Sequence, residues 1–253
     1  MNTETDLERL RADHTAMAIR RRLEAPTSHN YLRDFVYGGI DGAVTTFAIV
    51  SGVAGANLSS GVVLVLGMAN LIGDGFSMAA SNYLGSRAEM QLLEQARKTE
   101  ENHIDRYPEG EREEIRQILA AKGLAGEVLE QAVASITADR QVWVDTMLRE
   151  ELGFSLDRPS PLRSAMVTFG AFLVVGFLPM FAFVMDYAVP AVSIPRPFLV
   201  STVLTAGAFF VVGAIKSRFV SERWYWSGLE TLIVGSMAAG IAWLIGYLLR
   251  GVV

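Results

Sequence analysis

Five stretches of the chain are predominantly apolar over the length of a membrane-spanning helix. They cover residues 35–56, 61–85, 164–185, 198–215 and 228–249. A helix needs about 20 apolar residues to cross the hydrocarbon core of a bilayer. Pro179 lies in the third stretch, where we expect it to kink the helix or to be accommodated by packing. The pattern therefore predicts an all-α membrane protein with five transmembrane helices.

The polar region between the second and third stretches has a helical pattern of its own. Its apolar residues recur at helical spacing, and Pro108, Gly123 and Gly153 interrupt the pattern. We therefore predict a small packed domain of three helices, the first of which continues from the second transmembrane helix. The predicted helices cover residues 86–107, 110–122 and 126–152. The chain then divides into an N-terminal arm (1–30), transmembrane helices 1–2 (31–85), an acidic segment (86–160) and transmembrane helices 3–5 (161–253).

Charge is concentrated in the acidic segment. This segment carries 16 Asp and Glu against ten Lys and Arg, whereas the rest of the 253-residue chain has a net charge of +1. A compact acidic block argues against nucleic acid as a partner and favours cations. Because the chain contains no cysteine, disulfides and thiolate metal sites are excluded.

Basic residues near the ends of the predicted transmembrane helices indicate the orientation. One side of the membrane has Arg196 and Arg250. The other side has Arg20, Arg21, Arg22, Arg33, Arg87, Arg163, Lys216, Arg218 and Arg223. Because short cytoplasmic loops are enriched in Lys and Arg, we place the N-terminal arm and the acidic segment in the cytoplasm. The C-terminus is then on the opposite side, and the absence of a signal-peptide pattern at the start of the chain agrees with this orientation.

Two carboxylates and a thioether lie within the first two transmembrane helices, and we take Asp41, Asp74 and Met78 as candidate transport-path residues. A carboxylate inside a membrane costs about 2.5–3.5 kcal/mol on insertion scales, so it normally faces a cavity, a partner or a path. Asp74 and Met78 are four residues apart and share a helix face. Carboxylates bind hard divalent ions, and sulfur favours transition metals over Mg²⁺ or Ca²⁺. Structural hydrogen bonding by the aspartates and simple packing of Met78 are the alternatives.

Three pairs of potential metal ligands occur at helical spacing in the acidic segment. They are Glu100 with His103, Glu111 with Glu114, and Met147 with Glu151. Carboxylates and ExxH pairs on facing helices build iron and manganese sites in helical bundles. A solvated face explains any one pair more simply, but three pairs attached to transmembrane helices with aspartates favour a metal-binding domain. Such donors accept Fe²⁺, Mn²⁺, Co²⁺ or Zn²⁺.

Other ionisable residues carry weaker signals. Glu230 opens the fifth transmembrane helix, where it could relay protons or simply favour the start of a helix. His14 and His29 lie in the N-terminal arm and could bind metal, although a solvated helix explains them more simply. The sequence contains no nucleophile elbow, phosphate loop, dinucleotide fingerprint or zinc-peptidase motif, so it does not favour an enzyme.

Four segments of the sequence together resemble the vacuolar iron transporter family, in its prokaryotic form. They read YLRDFVYGGIDGAVTTFAIVSGVAGA, NLIGDGFSMAASNYLGSRAE, VDTMLREELG and GLETLIVGSMAAGIAWLIGYLL. The resemblance extends over nearly everything from Tyr31 to the C-terminus. It implies a homodimer with five transmembrane helices and a cytoplasmic three-helix metal-binding domain between helices 2 and 3. It also implies export of Fe²⁺, with Mn²⁺ tolerated, by proton antiport across a prokaryotic cytoplasmic membrane.

The resemblance also implies residue roles. Asp41 and Met78 match the transmembrane path of the family. The matching cytoplasmic ligands are Glu100, Glu111, Glu114, Met147 and Glu151.

Three positions depart from the plant members of the family. His103 replaces a glutamate, Leu148 replaces a methionine, and Asn70 replaces a glutamate of the second transmembrane helix. Asp74 supplies a carboxylate one turn after Asn70, so proton coupling either uses Asp74 or is altered in this chain.

Two other functions fit parts of the same pattern. A membrane-tethered ferroxidase or iron-storage module would use the ExxH pair, although a di-iron site needs two such motifs with bridging glutamates. A metal sensor that regulates a partner is the weaker alternative. Metal flux that depends on Asp41 distinguishes a transporter, whereas oxygen consumption on addition of Fe²⁺ without vesicle uptake indicates a ferroxidase.

Overall fold

The computed structural model describes residues 3–24, 31–157, 159–189, 194–220 and 222–252, and all regular elements in these ranges are helical. The α-helices are α1 (Thr3–Asp13), α2 (Ala16–Glu24), α3 (Leu32–Ala56), α4 (Ser60–Arg106), α5 (Pro108–Ala121), α6 (Gly126–Thr137), α7 (Arg140–Glu150), α8 (Pro161–Gly176), α9 (Phe181–Ala188), α10 (Pro197–Lys216) and α11 (Trp224–Leu248). Five helical stretches among these residues are long and apolar enough to cross a membrane: α3, α4, α8 with α9, α10 and α11. This confirms the predicted all-α architecture with five membrane-spanning helices.

Helix α3 lies at the centre of the apolar bundle and packs most closely against α8 and α11. Its glycines make these contacts possible: a Cβ on Gly42 would lie 2.9 Å from the Cα of Phe172 on α8. In the same way, a Cβ on Gly246 of α11 would lie 2.9 Å from the backbone nitrogen of Ala56. Without side chains the backbones approach closely and gain van der Waals contact, which is a main source of helix association in lipid.

The third membrane-spanning stretch is interrupted at the proline, as expected. Helix α8 ends at Gly176, a 3₁₀ turn covers Leu178–Met180, and α9 begins at Phe181. Proline has no backbone N–H to donate and clashes with the preceding turn of a helix. Ser201 of α10 donates a hydrogen bond to the carbonyl oxygen of Pro179 at 2.5 Å, so the interrupted backbone finds a partner in the neighbouring helix.

Helix α4 joins the bundle to the acidic segment without a break. It has 47 residues, which at 1.5 Å per residue gives a length of about 70 Å, more than twice the hydrocarbon thickness of about 30 Å. It ends at Arg106, because Tyr107 leaves the helical conformation and Pro108 starts the next helix. The prediction that the second membrane-spanning helix runs on through the first helix of the acidic segment is confirmed.

The acidic segment has its own hydrophobic core, with Ile115, Val144, Met147 and Leu148 fully buried. The prediction of one helix over 126–152, and hence of three helices in this segment, is wrong. Two helices, α6 and α7, cover that range and are separated at Ala138 and Asp139.

The break between α6 and α7 comes from an N-cap. One carboxylate oxygen of Asp139 accepts hydrogen bonds from the backbone N–H groups of Gln141 and Val142, at 2.9 and 3.1 Å. These donors have no partner inside the helix that they begin, so the aspartate stabilises a helix start at this point.

Arginines tie the extended end of α4 to α7. Arg97 donates to Asp145 at 2.5 Å, and Arg140 donates to both carboxylate oxygens of Asp105 at 2.6 and 2.9 Å. The bidentate geometry fixes orientation as well as distance. The acidic segment is therefore a packed unit held against the same helix that crosses the membrane.

The N-terminal arm forms α1 and α2, in agreement with its helix-prone sequence. His14 lies exposed between these helices, with its Nδ1 atom 2.8 Å from the carbonyl oxygen of Leu10. The other histidine of the arm, His29, lies outside the described residues. The exposure of His14 agrees with a solvated helix, which the sequence favours over metal binding.

Replacement of Gly42 tests the close packing of α3 on α8. We expect Gly42→Ala to destabilise the protein by about 2 kcal/mol or more, because overpacking against a backbone cannot be relieved by side-chain rotation. Gly170→Ala is the control, since a Cβ on Gly170 of α8 meets nothing within 4 Å. The measurement is thermal unfolding in detergent. Equal melting temperatures for the two variants would contradict the packing described.

Candidate metal centre

Three side chains of the acidic segment converge in a way that suits a metal ion. Glu100 and His103 on α4 and Glu111 on α5 each offer one ligand atom, and these atoms lie within 4.8 Å of one another. His103 Nδ1 is 3.4 Å from a carboxylate oxygen of Glu111. The ExxH pair predicted from the sequence therefore meets a carboxylate from the next helix.

The chain reversal after α4 explains this convergence. Helix α4 ends beside Tyr107, whose backbone N–H still donates to the carbonyl of His103, and Pro108 occupies the first turn of α5. The first turn of α5 therefore lies next to the last turns of α4. Glu100 and His103 are three residues apart and share a face of α4, and Glu111 reaches that face from the first turn of α5.

The carboxylates of Glu100 and Glu111 are unusual because they are buried. Glu100 is 4% exposed and Glu111 is 6% exposed, and in the described part of the chain the Oε2 atom of each has no hydrogen-bond partner. A buried charged oxygen without a partner carries a desolvation penalty of several kcal/mol. Two such oxygens beside an imidazole nitrogen are donors that a divalent transition-metal ion accepts.

The same surroundings favour protons when no cation is bound. Burial, followed by repulsion from Glu114 and Glu100, raises the pKa of Glu111 from its ordinary 4.5 to about 7. Burial and repulsion from Glu114 likewise raise the pKa of Glu151. A protonated Glu111 can share a hydrogen bond with Glu100, so one proton relieves part of the repulsion.

The remaining predicted ligands take different positions. Glu114 and Glu151 are exposed, but their charges act on Glu111, so they line the approach to the three-residue cluster. Met147 is fully buried in the hydrophobic core of the acidic segment. Coordination of a bound ion by its sulfur stays a prediction.

In the bundle, the two predicted membrane aspartates lie close enough for their charges to interact. Asp41 is half-buried on α3, whereas Asp74 is exposed on the outer face of α4. Asn70 donates hydrogen bonds to Thr45 and Thr46 of α3 at 3.2 and 3.3 Å. Asn70 thus holds α4 to α3 within one turn of Asp41.

A cavity of about 380 Å³ lies where α3, α4 and α8 leave the bundle toward the acidic segment. Met78 lines it at the bundle end and Glu89 at the other end, with Asp34 and Asn82 between them. Asn82 donates to Asp34 at 3.3 Å and to Thr168 at 2.7 Å. Sequence reasoning missed Asp34, Asn82 and Glu89 as members of one polar cavity.

One regularity in the sequence could have revealed Glu89. Met78, Glu89 and Glu100 are spaced by eleven residues, which is about three turns of an α-helix. On the unbroken α4 they share one face, about 16 Å apart. The potential ligands of the bundle, the cavity and the metal centre therefore follow one line along the helix.

The last predicted site residue, Glu230, is paired. Lys216 at the end of α10 donates to its carboxylate at 2.5 Å, and the pair ties α10 to α11. A proton-coupling role for Glu230 would require this pair to separate, so the prediction has no support from the geometry.

Residues 32–247 match the VIT family. Similar proteins include the vacuolar iron transporter of Toxoplasma gondii, 32% identical over 98% of this chain and 86% of the relative. Vacuolar iron transporter 1 of Arabidopsis thaliana is 32% identical over 85% of each chain. Vacuolar iron transporter 2 of Oryza sativa subsp. japonica is 30% identical over 85% of this chain and 86% of the relative.

Protons and divalent cations should compete at the metal centre. We expect Mn²⁺ affinity to be about tenfold lower one pH unit below 7 than at pH well above 7, because the proton on Glu111 must leave first. Glu111→Gln should weaken binding and reduce this pH dependence, whereas Glu109→Gln, an exposed position on the same helix, should preserve both. Calorimetric titration of the purified protein measures the affinity. A pH-independent affinity of the unaltered protein would contradict the assignment.

Proposed function

The chain belongs to the VIT family, and we propose that it exports Fe²⁺ from the cytoplasm by exchange with protons, after capture at the acidic segment. It is a membrane transporter and not an enzyme, as the family and the names of its relatives indicate. These names support iron as the transported ion. The observation that carries the proposed capture step is the pair of buried, unpartnered oxygens on Glu100 and Glu111.

Capture at Glu100, His103 and Glu111 would use carboxylate and imidazole donors. This set accepts Fe²⁺ and Mn²⁺, and also Co²⁺ and Zn²⁺, because affinity order alone does not select iron. Glu114 and Glu151 add negative charge around the cluster, which attracts cations from solution. In this proposal, Met147 supplies a thioether ligand for softer ions.

Transfer to the membrane would follow α4. An ion leaving Glu100 travels along the shared helix face to Glu89 and then through the cavity to Met78. Asp34 and the side-chain oxygen atoms of Asn82 and Ser86 offer further oxygen donors on this route. These oxygens suit a divalent ion that keeps part of its hydration shell.

The membrane path would contain Asp41, Asp74 and Met78 at the interface of a homodimer. The support is the position of Asp74, which is exposed on one chain within the apolar part of α4. Only 22% of the most apolar part of α4 is buried, the same share as for α11 and less than the 50% for α3, but only α4 of these two exposed helices carries a carboxylate in its apolar middle. A charged side chain facing lipid is costly, and a second copy of α4 would cover Asp74 and complete a path between the two chains.

Proton exchange would use the same carboxylates. Because Asp41 and Asp74 repel each other when both are ionised, a cation that binds between them displaces a proton. Asn70 cannot carry a proton at its position in α4, so Asp74 takes that role in our proposal. The cytoplasmic orientation of the acidic segment rests on the nine basic residues at its side of the bundle.

The ferroxidase alternative has less support. A di-iron site uses two ExxH motifs with bridging glutamates. Among the described residues, the grouped metal ligands contain a single ExxH pair.

Flux measurement with an Asp41 variant tests the function. We expect proteoliposomes with the acidic segment outside and an acidic lumen to take up Fe²⁺, and uptake to stop when the pH gradient is removed. Asp41→Ala should abolish uptake, because no other carboxylate of α3 lies at that depth. Asp186→Ala at the end of α9 is the control. Normal uptake by folded Asp41→Ala protein would exclude the proposed path.

Cross-linking tests the homodimer. The chain has no cysteine, so a single cysteine reports on its own position. We expect Gly73→Cys, on the open face of α4 next to Asp74, to form an intermolecular disulfide in membranes. Gly170→Cys on α8, which also meets nothing within 4 Å, should form no intermolecular disulfide. Equal cross-linking at the two positions would contradict an interface along α4.

A further inference from the structure

The N-terminal arm contains a basic amphipathic helix that neither the metal centre nor the membrane path uses. In α2, Ile19 and Leu23 are four residues apart and share one face, which Arg20 and Arg22 flank. Leu23 is 80% exposed. Apolar residues on a helix face normally pack against another surface, so this face indicates a partner beyond the helix itself.

The neighbouring helix α1 adds further apolar surface. Leu7 and Leu10 are three residues apart and about half exposed, and Met17 at the start of α2 is 82% exposed. Helices α1 and α2 contact each other. Both helices of the arm therefore present apolar side chains, whereas the excess of positive charge lies in α2, because α1 carries four acidic residues against two arginines.

The chain holds this arm beside the membrane. Seven residues separate the end of α2 from the start of α3, and that length spans at most about 25 Å even when fully extended. The hydroxyl of Tyr31 accepts a hydrogen bond from the backbone N–H of Ser160 at 3.3 Å, which fixes the start of α3 beside the start of α8. Arg33 and Arg163, just inside these helices, are exposed and enlarge the basic surface.

We propose that the arm lies on the bilayer surface and binds anionic phospholipid headgroups, with Leu23 at the acyl boundary and Arg22, which flanks it, at the phosphates. Basic amphipathic helices bind membranes in this way, by apolar burial together with attraction to anionic lipid. Long arginine side chains can extend from the sides of a buried face to the headgroups. The interaction is separate from metal transport and does not depend on the proposed path.

The acidic segment is the competing partner, because its charge is also complementary to the arginines. Its apolar side chains form an enclosed core, in which Ile115, Val144 and Leu148 are fully buried. It offers partners for the arginines, but its exposed apolar side chains, such as Leu92 on α4 and Val128 on α6, lie on separate helices. An anionic membrane surface offers headgroups to the arginines of α2 and an apolar region to Leu23.

A single fluorophore tests the proposal in the full-length protein. In the cysteine-free chain, Leu23→Cys carries an environment-sensitive dye, and the protein is placed in nanodiscs of phosphatidylcholine with or without phosphatidylglycerol. We expect blue-shifted emission, protection from acrylamide and quenching by nitroxide lipids in the anionic discs at low salt. High salt or neutral discs should return the dye to an aqueous environment. The label control is Val128→Cys on α6, an exposed position that should be insensitive to lipid.

Charge removal gives a second readout. Arg22→Gln should lower the ratio of bound to free arm about fivefold, from the usual contribution of one basic residue at an anionic surface. Arg149→Gln removes equal charge from an exposed position of the acidic segment and should leave this ratio unchanged. Aqueous emission in both kinds of disc would overturn the proposal. Protection that is equal in both lipids but lost in high salt would place the arm on the acidic segment and would also overturn it.

Discussion

The unbroken helix α4 is the constraint on which the rest of the arrangement depends. Because it runs from Ser60 to Arg106 without a proline or a bulge, the metal centre at its end has a fixed rotation relative to the bundle. Ion pairs from Arg97 and Arg140 to neighbouring helices hold the acidic segment to this helix. A kink in α4 would move Glu100 off the face that carries Met78. The helix therefore defines both the distance and the direction between the candidate metal centre and the proposed membrane path.

A second determinant of the arrangement is that carboxylates lie close together at two places in the molecule. At the metal centre, burial and neighbouring carboxylates raise the pKa of Glu111 to about 7. In the bundle, Asp41 and Asp74 interact through their charges. Each arrangement is unfavourable without a counter-charge and becomes favourable when a proton or a divalent cation arrives. In the proposed function, protons and metal ions compete at both places because of this geometry.

Much of the fold could be predicted because membrane-spanning length and proline breaks are local properties of sequence. The five apolar stretches and the interruption at Pro179 are examples. The division of residues 126–152 was not predicted, because no glycine or proline marks it and the N-cap at Asp139 is a weaker signal. The aspartate before the helical pattern of α7 is the feature of the sequence that indicates a helix start.

For the candidate site, the spacing of residues predicted which pairs of potential ligands share a face of one helix. It did not predict contacts between ligands on different helices. Glu100 and His103 are three residues apart, so their shared face followed directly from the sequence. The approach of Glu111 depends on how the chain turns at Tyr107. The cavity that joins Asp34, Asn82 and Glu89 depends on the packing of α3, α4 and α8, which no local pattern encodes.

The sharpest test of a capture site that feeds a membrane path is the Fe²⁺ concentration dependence of uptake by Glu111→Gln protein. Because capture acts before passage, weakening it should raise KM while the rate at saturating Fe²⁺ stays near that of the unaltered protein. That result is the one our account predicts. An unchanged KM with a lower maximal rate would mean that the acidic segment controls opening of the path, and it would contradict capture as the role of the metal centre.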